Sequence, residues 1–108
     1  MTSDTPEPGP VTFVNVFEID PKDIDEFLDG WRERANFMRT QPGFRSFRLL
    51  RALSPDSRFQ LVNVAEWESA EAIAAARAKP EFQASVRGVS HEVKANPSLY
   101  QAAVEFTA

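Results

Sequence analysis

Two carboxamide side chains stand inside segments of this sequence that are otherwise apolar and alternating. Asn63 lies in the middle of FQLVNVAEW (residues 59–67), and Asn15 lies in the middle of VTFVNVFEI (residues 11–19). A buried amide without a hydrogen-bond partner costs on the order of 1–3 kcal/mol, so each Asn needs a structural partner or a polar ligand. Trp67 follows Asn63 on the same strand face and adds an indole N–H donor and a flat apolar surface. These side chains can hold a bound oxygen atom, or they can be core residues with main-chain partners.

Two further polar side chains are candidates for the same site: Arg87 and His91. Arg87 can stabilise the oxygen of an ionised phenol or enol through a charge-assisted hydrogen bond, or it can be a solvated surface charge. His91 is the only histidine, and it is either a proton-transfer group or a surface or dimer-contact residue. The sequence has no Gly-rich phosphate loop, carboxylate metal cluster or Ser–His–Asp arrangement, so nucleotide-binding, metal-dependent and hydrolytic functions lack supporting residues.

The positions of these side chains depend on the strands and helices that carry them. Alternation predicts strands, and apolar residues at three- and four-residue steps predict amphipathic helices. The predicted segments are a disordered tail over residues 1–10, strands over 11–19, 44–52, 59–67 and 99–107, helices over 20–38, 69–78 and 81–87, and a loop or irregular helix over 88–97. Asp20 is expected to cap the first helix, and Gln41-Pro42-Gly43 to end it.

The order of these elements predicts an α+β fold of the ferredoxin-like type, in which a four-stranded antiparallel sheet carries helices on one face. The first and third strands are then central neighbours, which brings Asn15 and Asn63 together on one face. The other face is also apolar, and its central residues are Val14, Val16, Val62 and Val64. Because exposing a large apolar face to water is unfavourable, we expect a homodimer in which the sheets of two subunits pack together.

Length and composition limit the classes of function. The 108 residues fit one domain, expected over residues 11–108, and the net charge of −4 argues against nucleic acid or an anionic membrane as the partner. Nine Phe and two Trp favour a core, an interface or an aromatic ligand, and the absence of Cys excludes thiolate chemistry. No signal-like or membrane-spanning run is visible, so we expect a soluble, cytoplasmic protein.

Three short motifs resemble one known family. They are QPGF at residues 41–44, LVNVAEWES at residues 61–69 and KPEF at residues 79–82. The sequence resembles the antibiotic biosynthesis monooxygenase (ABM) domain of the dimeric α+β barrel superfamily, over about residues 11–106. The resemblance implies a homodimeric barrel. It also implies oxidation of a phenolic or polycyclic, anthrone-type aromatic by O₂ without a cofactor.

The resemblance also implies roles for individual residues. The strand Asn and Trp of the anthrone-oxidising branch fall on Asn63 and Trp67, and its pocket Arg falls on Arg87. Its catalytic Tyr falls on Ile73, and its pocket His falls near Arg51, so two side chains differ here. The implied catalytic group is Asn15, Asn63, Trp67 and Arg87, and the implied substrate-binding group is Phe13, Phe17, Met38, Arg51, Phe82 and His91.

Two alternatives remain open from the sequence. The haem-degrading branch of the family uses a strand Asn and a Trp that match Asn15 and Trp67. Its axial His falls on Val86, five residues before His91. The other alternative is a non-catalytic dimeric domain that binds a small aromatic molecule.

Overall fold

The computed structural model describes residues 9–86 and 93–108. The elements are β1 (Val11–Glu18), a 3₁₀ turn (Pro21–Asp23), α1 (Ile24–Met38), β2 (Phe44–Arg51), β3 (Leu61–Trp67), α2 (Ala70–Arg77), α3 (Pro80–Val86) and β4 (Lys94–Tyr100). The first three strands and the helices α1 and α2 lie within a few residues of their predicted bounds. Arg87 and the predicted tail up to residue 8 lie outside the described residues. No helix in the described ranges is long and apolar enough to cross a membrane.

The four strands form one antiparallel sheet in the order β2-β3-β1-β4. This order is that of the ferredoxin-like fold and confirms that β1 and β3 are central neighbours. In their register, Asn15 lies directly opposite Asn63, and Phe17 lies opposite Leu61. The predicted meeting of the two carboxamides on one face is therefore confirmed.

The helices pack on the face that carries the two carboxamides, and the buried side chains form two clusters there. One cluster contains Val11, Phe13, Ala65, Trp67, Ile73 and Ala76, and the other contains Phe17, Ile19, Ile24, Phe27 and Leu61. Since side chains on one strand face repeat every second residue, Asn15 and Asn63 fall between the two clusters. The core is thus divided at the level of the carboxamides.

Gly43 in the QPGF motif sets the approach of α2 to the sheet. Its φ is +87°, which favours glycine, and a Cβ at this position would lie 2.5 Å from the Cβ of Ala72. The Gly43 carbonyl accepts a hydrogen bond from the Glu68 N–H at 2.7 Å. Gln41 and Lys79 connect the QPGF and KPEF motifs, because the Lys79 Nζ donates to Gln41 Oε1 at 2.5 Å.

The last strand lies earlier in the chain than the sequence predicts. β4 spans Lys94–Tyr100 and not residues 99–107, and the prediction of loop or irregular helix is wrong for residues 94–97. Residues 88–92 lie outside the described part. The register explains the shift: Tyr100 pairs with Thr12, and β1 begins only one residue before Thr12, after a proline that lacks an N–H. Residues 101–108 are exposed and carry no strand.

The outer face of the sheet carries none of the three described helices. Its central residues Val14, Val16, Val62 and Val64 are half-buried, and Leu50 beside them is 42% exposed. At one end of this face Thr12 Oγ1 donates to the carboxylate of Glu66 at 2.8 and 2.9 Å. An apolar strip with a polar margin is the arrangement expected of a covered surface, and the homodimer stays a prediction.

Candidate active site

A cavity of about 440 Å³ lies between the helices and the sheet, where the core is divided. The sheet contributes Phe13, Asn15, Phe17, Phe44, Phe47, Asn63, Ala65 and Trp67 to its lining, and α1 contributes Phe27, Trp31, Arg34, Ala35 and Met38. Ile73, Arg77, Phe82, Gln83, Val86, Val93, Ala95 and Pro97 complete it. Sites for small ligands typically have about 300–1,000 Å³ and are mostly apolar with a few placed polar groups. This cavity fits that description.

The two carboxamides differ in their hydrogen bonding. Asn15 Oδ1 accepts a hydrogen bond from the backbone N–H of Asn96 at 2.9 Å, so this side chain helps to hold β4. The side-chain amide of Asn96 (Nδ2) in turn donates to the Val16 backbone carbonyl at 3.1 Å. Asn63 is only 6% exposed, and its Oδ1 is buried without a hydrogen-bond partner among the described residues. Since buried polar atoms are nearly always paired, the Asn63 oxygen is an atom that requires explanation.

Trp67 and the aromatic rings form the apolar walls of the cavity. Trp67 is fully buried at the end of β3 and meets Phe44 edge-on, with 5.3 Å between ring centroids. Phe17 contacts Phe27 and Trp31 at centroid distances of 5.2 and 5.8 Å. These rings pack against one another at tilted or edge-on angles and make the cavity lining largely apolar.

The structure brings most of the predicted site residues together. Seven of them line the cavity: Phe13, Asn15, Phe17, Met38, Asn63, Trp67 and Phe82. Arg51 does not line it; its side chain is more than half exposed and lies 3.8 Å from the carboxylate of Asp25. Arg87 and His91 lie outside the described residues.

The sequence interpretation missed two basic residues and one indole that line the cavity. Arg34 is 8% exposed and lies on the apolar side of α1. Arg77 is exposed, and its guanidinium lies 5.4 Å from the centroid of the Phe13 ring. The Trp31 Nε1 is buried and has no hydrogen-bond partner in the part of the chain that the structure describes. The available signal was an arginine on the stripe Phe27-Trp31-Arg34-Met38, where helical spacing predicts apolar residues.

Val86, the residue on which the family resemblance places the axial ligand of the haem-degrading branch, lines the cavity. An aliphatic side chain has no donor atom for iron. In the described ranges there is also no group of three or more His, Cys, Asp or Glu residues that could hold a metal ion. The described residues at this position therefore do not fit a haem.

Sequence comparison identifies one family over most of the chain. The family model described as "Antibiotic biosynthesis monooxygenase" (ABM) matches residues 10–88. Among curated proteins, none matches the chain significantly.

Solved structures give the same family and fold. SnoaB, a cofactor-independent oxygenase from Streptomyces nogalater, superimposes with a TM-score of 0.80 at 29% identity, covering 93% of this chain and 99% of SnoaB. A protein from Shewanella loihica PV-4, provisionally assigned as a monooxygenase, superimposes with a TM-score of 0.77 at 26% identity. The match covers 93% of this chain and 100% of that protein. A dabb family protein with a ferredoxin-like fold from Mesorhizobium loti gives 0.66 at 17% identity, covering 87% and 97%, which supports the fold alone.

Proposed function

Because this chain belongs to the antibiotic biosynthesis monooxygenase family, we propose that it is a cofactor-independent oxygenase for a phenolic or polycyclic, anthrone-type aromatic. The observation that carries the proposal is the aromatic-walled cavity beside a buried carboxamide oxygen that no described residue bonds. The similarity to SnoaB, described as a cofactor-independent oxygenase, supports it. A planar polycyclic ligand would stack on the rings and present its oxygens to the polar side chains.

The proposed reaction uses O₂ as the oxidant and needs no other co-reactant. The substrate first loses a proton from the ring carbon that will be oxidised, which gives a carbanion conjugated with the phenolate. The carbanion transfers one electron to O₂, and the resulting substrate radical and superoxide combine to form a C–O bond. The peroxide takes up a proton and loses water, which leaves a quinone carbonyl. One oxygen atom enters the product, and the other leaves as water.

In this reaction the protein positions the reactants and stabilises negative charge. Asn63 and Trp67 would hold the substrate carbonyl and the oxygens derived from O₂, and Asn15 would support them from the neighbouring strand. Such preorganised groups act strongly in a cavity that excludes water. Phe13, Phe17, Met38 and Phe82 would form the wall. From the family resemblance we also propose that Arg87 stabilises the anionic form of the substrate.

Quinone formation tests the proposal. Protein treated with a chelator is mixed with 1,8-dihydroxyanthrone in air, and the quinone is followed by its absorbance against the spontaneous oxidation in buffer. We expect a rate well above the spontaneous rate and a marked loss of that rate in Trp67→Phe, which keeps a ring but removes the N–H. A wild-type rate equal to that in buffer would contradict the proposal.

A further inference from the structure

Arg34 is a buried cation that has no carboxylate partner in residues 9–86 and 93–108. It is 8% exposed, and no ion pair joins it to an acidic side chain in these ranges. Its Nη1 donates to the Ser85 carbonyl at 3.5 Å, which is long for a hydrogen bond. A guanidinium has five N–H donors, so most of its donor capacity is not used by this contact.

The surroundings of Arg34 are aromatic. Its guanidinium carbon lies 5.4 Å from the ring centroid of Phe27 and 5.5 Å from that of Trp31. These cation–π contacts orient the group but leave the edge of the guanidinium plane available for hydrogen bonds. Burial lowers the pKa of Arg34, and the nearby Glu33 opposes this shift. Since arginine ordinarily titrates far above neutral pH, the group stays cationic.

The neighbouring polar atom on the same wall is also a donor. Trp31 lies one helical turn before Arg34, and its Nε1 is buried without a partner. The α1 side of the cavity therefore carries a positive charge and a buried N–H donor, whereas the buried Asn63 oxygen on the sheet is an acceptor. Arg77 also lines the cavity, but its side chain is exposed and its charge is screened by water.

We propose that Arg34 binds an anionic oxygen of the ligand, so that the substrates of this cavity are aromatic molecules in their ionised, phenolate or enolate form. The anionic oxygen lies toward α1, and the ring system lies between α1 and the sheet. That these ligands are substrates rests on the proposed function. The preference for an anionic over a neutral ligand is a property of binding and can be measured without turnover. A charge-assisted hydrogen bond at a buried site makes this preference measurable.

The test compares two quinones that differ in charge and cannot undergo the proposed oxidation. At neutral pH 2-hydroxy-1,4-naphthoquinone is an anion, and its methyl ether, 2-methoxy-1,4-naphthoquinone, is a neutral molecule with the same ring system. Dissociation constants are measured by quenching of Trp fluorescence for the wild type, Arg34→Gln and Arg32→Gln. Arg32 is the matched control, because it is exposed on the same helix and pairs with Asp29 at 3.2 Å.

The wild type and Arg32→Gln are expected to bind the anion more tightly than the ether, by about tenfold to a hundredfold. In Arg34→Gln this preference disappears while the affinity for the ether is kept, and Arg34→Lys restores part of it. Equal preference in the wild type and Arg34→Gln would overturn the proposal. If Arg34→Gln does not fold, Arg34→Met, which replaces the charge by an apolar side chain of similar length, takes its place.

The two proposals fail in different ways. A charge preference that depends on Arg34, without any oxidation of anthrones, removes the oxygenase function and leaves the anion site. Oxidation of anthrones without a charge preference removes the anion site and leaves the oxygenase function.

Discussion

Asn15 and Asn63 face each other across β1 and β3, yet within residues 9–86 and 93–108 only Asn15 has a hydrogen-bond partner for its side-chain oxygen. The pairing follows from β4: the residue opposite Asn15 on β4 is Pro97, which has no N–H, and the Asn15 oxygen accepts instead from the N–H of Asn96. Asn63 lies opposite Asn15 on β1 and Leu49 on β2, and no described residue of either strand bonds its oxygen. One carboxamide oxygen is thus bonded to β4, and the other is buried without a partner among the described residues.

Asn15→Ala is expected to reduce stability, because it leaves the Asn96 N–H of the edge strand without its partner. The expected loss in free energy of unfolding is about 0.5–1.5 kcal/mol, the net contribution of one hydrogen bond. Urea denaturation measures this free energy of unfolding. Hydrogen exchange should show that the backbone N–H of Asn96 exchanges faster in the variant than in the wild type. An unchanged Asn96 exchange rate would mean that the contact does not hold β4.

Gly43→Ala is expected to destabilise the protein by about 2 kcal/mol or more, because it combines a left-handed φ with overpacking. The new methyl group would meet Ala72 at 2.5 Å. Gly30→Ala is the control: it lies inside α1, and its Cβ would be 3.8 Å from Arg34 Nη1, an ordinary contact. Because Ala is the better helix former, this variant should be neutral or more stable. Equal thermal midpoints for both variants would disprove the role of Gly43.

The sequence alone was sufficient to predict the two central strands and which of their side chains share a face. Alternation assigns each side chain of β1 and β3 to a face, and the element order makes them neighbours, so the meeting of Asn15 and Asn63 could be predicted. The hydrogen-bond partner of Asn15 could not be predicted, because it depends on the register of β4. Arg34 was missed because a long side chain can reach either water or a cavity from the same helix position.

The homodimer prediction concerns the outer face of the sheet. Static light scattering at micromolar concentration should give about twice the chain mass of 12.1 kDa, because association would bury the strip Val14, Val16, Val62 and Val64. Val64→Glu places a charge on this strip and should give monomers, whereas Ala74→Glu on the exposed side of α2 should not. A wild-type mass of one chain would reject the homodimer.

The proposed oxygenase function depends above all on Asn63, and we expect Asn63→Ala to lose turnover while it stays folded. The substitution removes a buried oxygen that has no partner, so the free energy of unfolding should change by no more than about 1 kcal/mol. The rate of quinone formation from 1,8-dihydroxyanthrone should fall about a hundredfold, as it does when one preorganised polar group is lost from an active site. A stable, folded Asn63→Ala protein with the wild-type rate would disprove the proposed role of Asn63 and, with it, the oxygenase function.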